Sequence, residues 1–175
     1  MHGNATMFPA MIERAFEDFP AGTRLESAEI EVTEESIIAF AKQFDPQTFH
    51  LDPAAAKKTI FGGLIASGWH TGAISMRLLV DTMRVGGGGI IGLGLDELRW
   101  PTPVCPGDRL RVEIEIIAAR LCRSRPGFGI IQIRSVTRNQ RDEVVQTFVA
   151  SAMLPVRGSS RTAETEPPQT RGKET

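Results

Sequence analysis

Residues 64–83 form the longest apolar helix candidate in the chain. Leu64, Ile65, Ala66, Trp69, Ala73, Met76, Leu79, Val80 and Met83 spread over most of a helical circumference. A helix that is apolar nearly all round has to be buried, and residues 64–83 would span about 30 Å. Such a rod needs a wrapping, and the sequence after it reads as strands. Residues 90–100 are the first. Residues 109–121 set Leu110, Val112, Ile114 and Ile116 against Arg109, Arg111, Glu113 and Glu115, the alternation of a half-exposed antiparallel strand. Residues 128–138 and 143–156 follow, joined by the polar turn 139–142. The expected class is α+β, a single antiparallel β-sheet wrapped around a long central α-helix.

The first third of the chain supplies shorter pieces. Residues 24–32 read as a strand carrying Leu25, Ile30 and Val32. Thr33 before Glu34 and Glu35 is a helix-start signal, and Ile37, Phe40, Ala41 and Phe44 continue at helical spacing. Asp45-Pro46 ends that helix, because the residue before a proline is pushed out of the helical region. Asp52 followed by Pro53 marks a second, short helix over 53–58, which Gly62-Gly63 breaks. Residues 1–20 are expected to be an arm, 21–157 the domain, and the polar 158–175 a disordered tail.

Composition narrows the function. A chain of 175 residues suits one domain with an ordinary core. A net charge of −1 offers no footprint for nucleic acid or an anionic membrane. No apolar run reaches the length of a membrane span, and residues 1–8 lack the pattern of a secretory signal. Cys105 and Cys122 are isolated, as expected of buried thiols in a reducing, cytoplasmic setting. His50, Asp52 and His70 lack the spacing of a metal site, so no metal is expected. Gly86 to Gly89 is not followed by the Gly-Lys-Ser/Thr of a phosphate loop, and Ser67 is not in a Gly-x-Ser-x-Gly elbow.

The chemistry is concentrated between Asp45 and Gly68. Asp45 and His50 place an acid and a histidine in one short connection just ahead of the long helix. A histidine near neutral pKa is suited to taking a proton from water, with a carboxylate to hold the same water. Taken singly, Asp45 could be a helix-ending turn residue and His50 a hydrogen-bonded loop histidine. His70 reads as core or pocket lining.

Two segments carry a family resemblance. One is Asp45-x-x-x-x-His50 with Asp52, followed by Phe61-Gly62-x-x-Ile65-Ala66-x-Gly68. The other is Leu98-Arg-Trp-Pro-Thr-Pro-Val-Cys-Pro-Gly-Asp108. In this order they resemble the MaoC-like acyl dehydratases and (R)-specific enoyl-CoA hydratases, which have the hot-dog fold. The resemblance covers about residues 20–156. Gln47-Thr48 stands where that family usually has Asn-Pro, and Ser67-Gly68 where it usually has His-Gly.

The resemblance implies reversible syn hydration of a trans-2-enoyl-CoA to an (R)-3-hydroxyacyl-CoA. Asp45 and His50 would be catalytic, and the Gly68 backbone N–H would hold the enolate oxygen. Gln47, Phe49, Ser67 and Trp69 would line the substrate site. No cofactor is implied beyond the coenzyme A of the substrate, and at least a homodimer is. Two alternatives stay open on the same fold, an acyl-CoA thioesterase and a non-catalytic acyl-CoA-binding or dimerisation subunit. Arg99, Arg109 and Arg111 are candidates for the CoA phosphates or for solvated strand positions.

Overall fold

The computed structural model describes residues 14–86 and 88–159. Most of the expected arm and almost all of the expected tail lie outside the described residues. Four long or short helices and six strands follow in the order β1 Arg24–Glu26, β2 Ile30–Glu31, α1 Glu34–Phe44, α2 Thr48–Leu51, α3 Pro53–Ala56, α4 Gly68–Met83, β3 Ile91–Arg99, β4 Arg109–Leu121, β5 Phe128–Arg138 and β6 Val144–Pro155. A 3-10 turn at Phe16–Asp18 precedes them. The strands form one antiparallel sheet in the order β1-β4-β5-β6-β3, with β2 also paired to β4. It wraps around α4, which packs against β1, β4 and β6. This is the sheet-around-helix architecture of the hot-dog fold.

The alternation in β4 is the reason its inner face is dry: Leu110, Val112, Ile114 and Ile116 are buried together with Ile131 and Ile133 of β5. Outward-facing charges pair across strands, as in Arg134 with Glu115 at 2.7 Å and Arg138 with Glu113 at 2.9 Å.

Three local expectations need correction. The strand expected over 24–32 is two short strands. The Ser27 hydroxyl accepts the Val112 N–H at 2.8 Å, taking the place of a backbone carbonyl and breaking the ladder. The long helix starts at Gly68 rather than at residue 64. Ile65 N–H donates to Phe49 O at 3.1 Å and Ala66 N–H to Val104 O at 2.8 Å, so this stretch is tied to other loops. Nor is α4 buried all round, since Trp69, Met76 and Val80 are exposed. Met76 and Val80 line a cavity of about 440 Å³ with Leu79, Ile90, Leu95 and Phe148, open beside the edge strand β3.

Candidate active site

Asp45 follows the last turn of α1, its N–H bonded to Ala41 O at 3.0 Å. Gln47 turns the chain into α2 and approaches Asp45 twice: its backbone N–H donates to Asp45 O at 2.7 Å and its Nε2 to Oδ1 at 2.8 Å. His50 therefore sits on a one-turn helix, not in an irregular loop, and is 4% exposed. Its Nε2 lies 3.4 Å from Asp45 Oδ2.

The other ring nitrogen decides what that approach means. His50 Nδ1 is 2.8 Å from Ile65 O. A carbonyl only accepts, so Nδ1 carries the proton and the neutral ring turns the Nε2 lone pair toward Asp45. In that neutral form two acceptors face one another across 3.4 Å. A proton taken up on Nε2 turns this opposition into an ion pair, which is the arrangement of a base with a built-in counter-ion.

Asp45 is held ionised from its other side. The Ser67 hydroxyl donates to Oδ2 at 2.6 Å, and with Gln47 this keeps the carboxyl below its ordinary range. The same Ser67 oxygen accepts the Trp69 N–H at 3.2 Å and caps α4. One hydroxyl thus joins the start of the helix to the carboxylate. Gly68 is the first residue of α4, where backbone N–H groups have no intrahelical acceptor and the helix dipole favours negative charge.

Gly68 is also a steric necessity. A Cβ there would lie 2.7 Å from two ring carbons of Trp100. The indole is fixed in place by Nε1–H donating to Gln146 Oε1 at 2.9 Å, and Trp69 meets it edge-on at 5.4 Å. His70 is buried and stacks on Phe40 of α1 at 4.8 Å, its Nδ1 without a hydrogen-bond partner among the described residues. Burial pushes its pKa down.

The structure joins Asp45, Gln47 and Ser67 by side-chain hydrogen bonds, ties His50 to Gln47 through the backbone and sets its ring 3.4 Å from Asp45, with Gly68 adjoining through Ser67. Phe49 lies beside that group, its ring 4.5 Å from His50 and 5.1 Å from Phe61. Trp69 points outward and is 61% exposed. Asp52 caps α3 through Ala54 and Ala55. It is not gathered with His50 and His70 into a cluster able to hold a metal among the described residues. Arg109 and Arg111 engage Glu29 and Asp142. Sequence reasoning missed Ile65, which acts through its carbonyl and so leaves no side-chain signal. It also missed the partnership of Trp100, just after β3, with Gln146 of β6.

Comparison with known proteins now decides the family. Residues 16–135 match the model of the MaoC like domain. The chain belongs to the MaoC-like dehydratase family. A MaoC-like dehydratase from Rhodospirillum rubrum is 48% identical and superposes with a TM-score of 0.76, over 82% of this chain and 98% of that one. The R-hydratase PhaJ1 from Pseudomonas aeruginosa is 28% identical with a TM-score of 0.68, over 81% of this chain and 86% of that one. The uncharacterized protein YdeM of Bacillus subtilis is 32% identical over 72% of this chain and 88% of its own length.

Proposed function

We propose that this family member hydrates a trans-2-enoyl-CoA to an (R)-3-hydroxyacyl-CoA, and dehydrates it in reverse. The observation that carries the reading is the Asp45–His50 pair, with the imidazole tautomer set by the Ile65 carbonyl. In the hydration direction His50 Nε2 takes a proton from water as the water oxygen bonds to C3. The π electron pair moves into the thioester as an enolate, whose oxygen is received by the Gly68 N–H. C2 then takes a proton from Nε2, so that H and OH arrive on one face. Asp45, kept ionised by Ser67 and Gln47, neutralises the imidazolium between the two transfers. This sequence uses no metal or redox group. Gln47 and Ser67 adjoin the reacting atoms, while Phe49 and Trp69 shape the space around the acyl thioester.

The same reading takes the protein to be a cytoplasmic homodimer. Ile91, Leu93 and Leu95 of β3 are exposed on an edge strand beside Met76 and Val80 of α4, and a second copy would cover both. Light scattering tests this: a monomeric mass at micromolar concentration would sink it.

The activity is tested with crotonyl-CoA by following the enoyl-thioester ultraviolet band and free thiol together. Band loss without thiol release, reduced roughly 10²–10⁴-fold in both Asp45→Asn and His50→Ala, is expected. Thiol release that survives His50→Ala would replace the hydratase by a thioesterase.

A further inference from the structure

We infer that Lys57 and Lys58, with Ile60 and Phe61, form the seat of the nucleotide end of coenzyme A; the inference rests on the thioester reading above. Four lysines occur in the whole chain, and Lys42, Lys57 and Lys58 fall within the segment that builds the site. All three are exposed, and none enters an ion pair among the described residues. Five arginines of the sheet and its turns behave differently, although the exposed strand residues Arg99 and Arg120 also enter no ion pair among the described residues. Arg24, Arg111, Arg134, Arg138 and Arg141 are each matched to a carboxylate. Arg109, one of the sequence candidates for the phosphates, is engaged by Glu29 at 3.4 Å.

The lysine pair is presented by a well-tied piece of backbone. Asp52 Oδ1 accepts the Ala54 and Ala55 N–H groups at the start of α3. Lys58 N–H and Thr59 N–H return to Ala55 O and Ala56 O at 3.0 Å. The Thr59 hydroxyl donates to Ala56 O at 2.7 Å and accepts the Phe61 N–H at 3.3 Å. This turn leaves Ile60 95% exposed, an apolar side chain held in water two residues after the exposed Lys58 and three after the exposed Lys57. From there a row of rings leads inward: Phe61 to Phe49 at 5.1 Å, and Phe49 to the catalytic imidazole at 4.5 Å.

That gradient fits a molecule with an apolar reacting end and a polyanionic far end. A CoA thioester has its double bond at one end and its 3′-phosphate, diphosphate and adenine at the other. Ammonium groups are compact point charges suited to phosphate oxygens. Ile60 and the exposed edge of Phe61 offer the adenine an apolar surface. A free enoic acid, or a thioester without the nucleotide, would leave both features unused.

The test compares crotonyl-CoA with crotonyl-pantetheine, which lacks the nucleotide, in wild type and in the double variant K57E/K58E. Both lysines are exposed, and an unchanged melting temperature would verify the fold. The expected result is a KM for crotonyl-CoA raised at least about tenfold, with the KM for crotonyl-pantetheine unmoved. Calorimetric titration of adenosine 3′,5′-diphosphate supplies a readout independent of turnover. Wild type should bind it and the double variant should not. Absence of hydration in wild type alongside that binding difference would sink the hydratase reading and leave the nucleotide seat standing. An unchanged KM for crotonyl-CoA or an equal rise for both thioesters would overturn the assignment.

Discussion

The two ends of α4 are built from different materials. Its first turn holds Ser67, Gly68 and His70, and each residue's role there is polar or steric: a hydroxyl shared between a helix cap and Asp45, a Cα with an indole against it, an imidazole buried on Phe40. The last turns hold Leu78, Leu79 and Met83, all buried in the apolar core under the sheet. The contrast separates two duties along one rod. The early end orients charge, and the far end contributes burial that keeps the rod in place.

Substitutions can break this separation or sharpen it. Within α4 the largest expected effect on turnover is at Gly68. Gly68→Ala brings a methyl group to within 2.7 Å of Trp100, so the helix start or the indole has to shift. A displaced N–H should reduce kcat about a hundredfold, on the scale of losing one oxyanion donor. The double variant Gly68→Ala/Trp100→Ala should recover part of it, measurable by steady-state kinetics on crotonyl-CoA. Full activity in Gly68→Ala would mean that the position carries no catalytic geometry.

At the opposite end, Met83→Ala empties a fully buried site and should destabilise the fold by roughly 2–5 kcal/mol. Urea unfolding should register that loss while kcat of the folded enzyme stays put. A matching loss of kcat would show that the two ends are coupled.

The smallest effect belongs to His70. Its folded-state pKa is below the ordinary histidine value because burial disfavours the charged ring. The unfolded chain therefore binds the proton more readily, and stability falls as pH drops below about 6.5. His70→Leu should flatten that acid-side decline, seen as a smaller difference in melting temperature between neutral and mildly acidic buffer. An equally steep decline in the variant would assign the loss to other groups.

How much of this was readable beforehand depended on whether a signal was local. Thr33 announces α1 because its side chain acts three residues away, accepting the Ser36 N–H at 3.1 Å. The bounds of β4 and β5 follow from alternation that one buried face enforces along each whole strand. Asp45 and His50 were legible as a pair through short spacing and a family-like motif. The split between β1 and β2 was not, since it rests on a serine bonded to a strand 85 residues away. The start of α4 was misplaced because Ile65 and Ala66 are apolar enough to read as helix. Their N–H groups are claimed by Phe49 and Val104 instead. The Trp100–Gln146 bond, across 46 residues, had no signal at all.

Those bonds to residue 65 have a consequence for how such an enzyme diversifies. Ile65 donates its N–H to Phe49 and accepts from His50, so the segment from 51 to 64 is stapled at its two ends. Lengthening a closed surface loop adds little entropy, and the staple isolates His50 from whatever lies between. The segment can therefore behave as an exchangeable cassette. Descendants could swap its lysines, extend it or reshape its apolar tip to suit another ligand, while the Asp45–His50 pair is inherited intact.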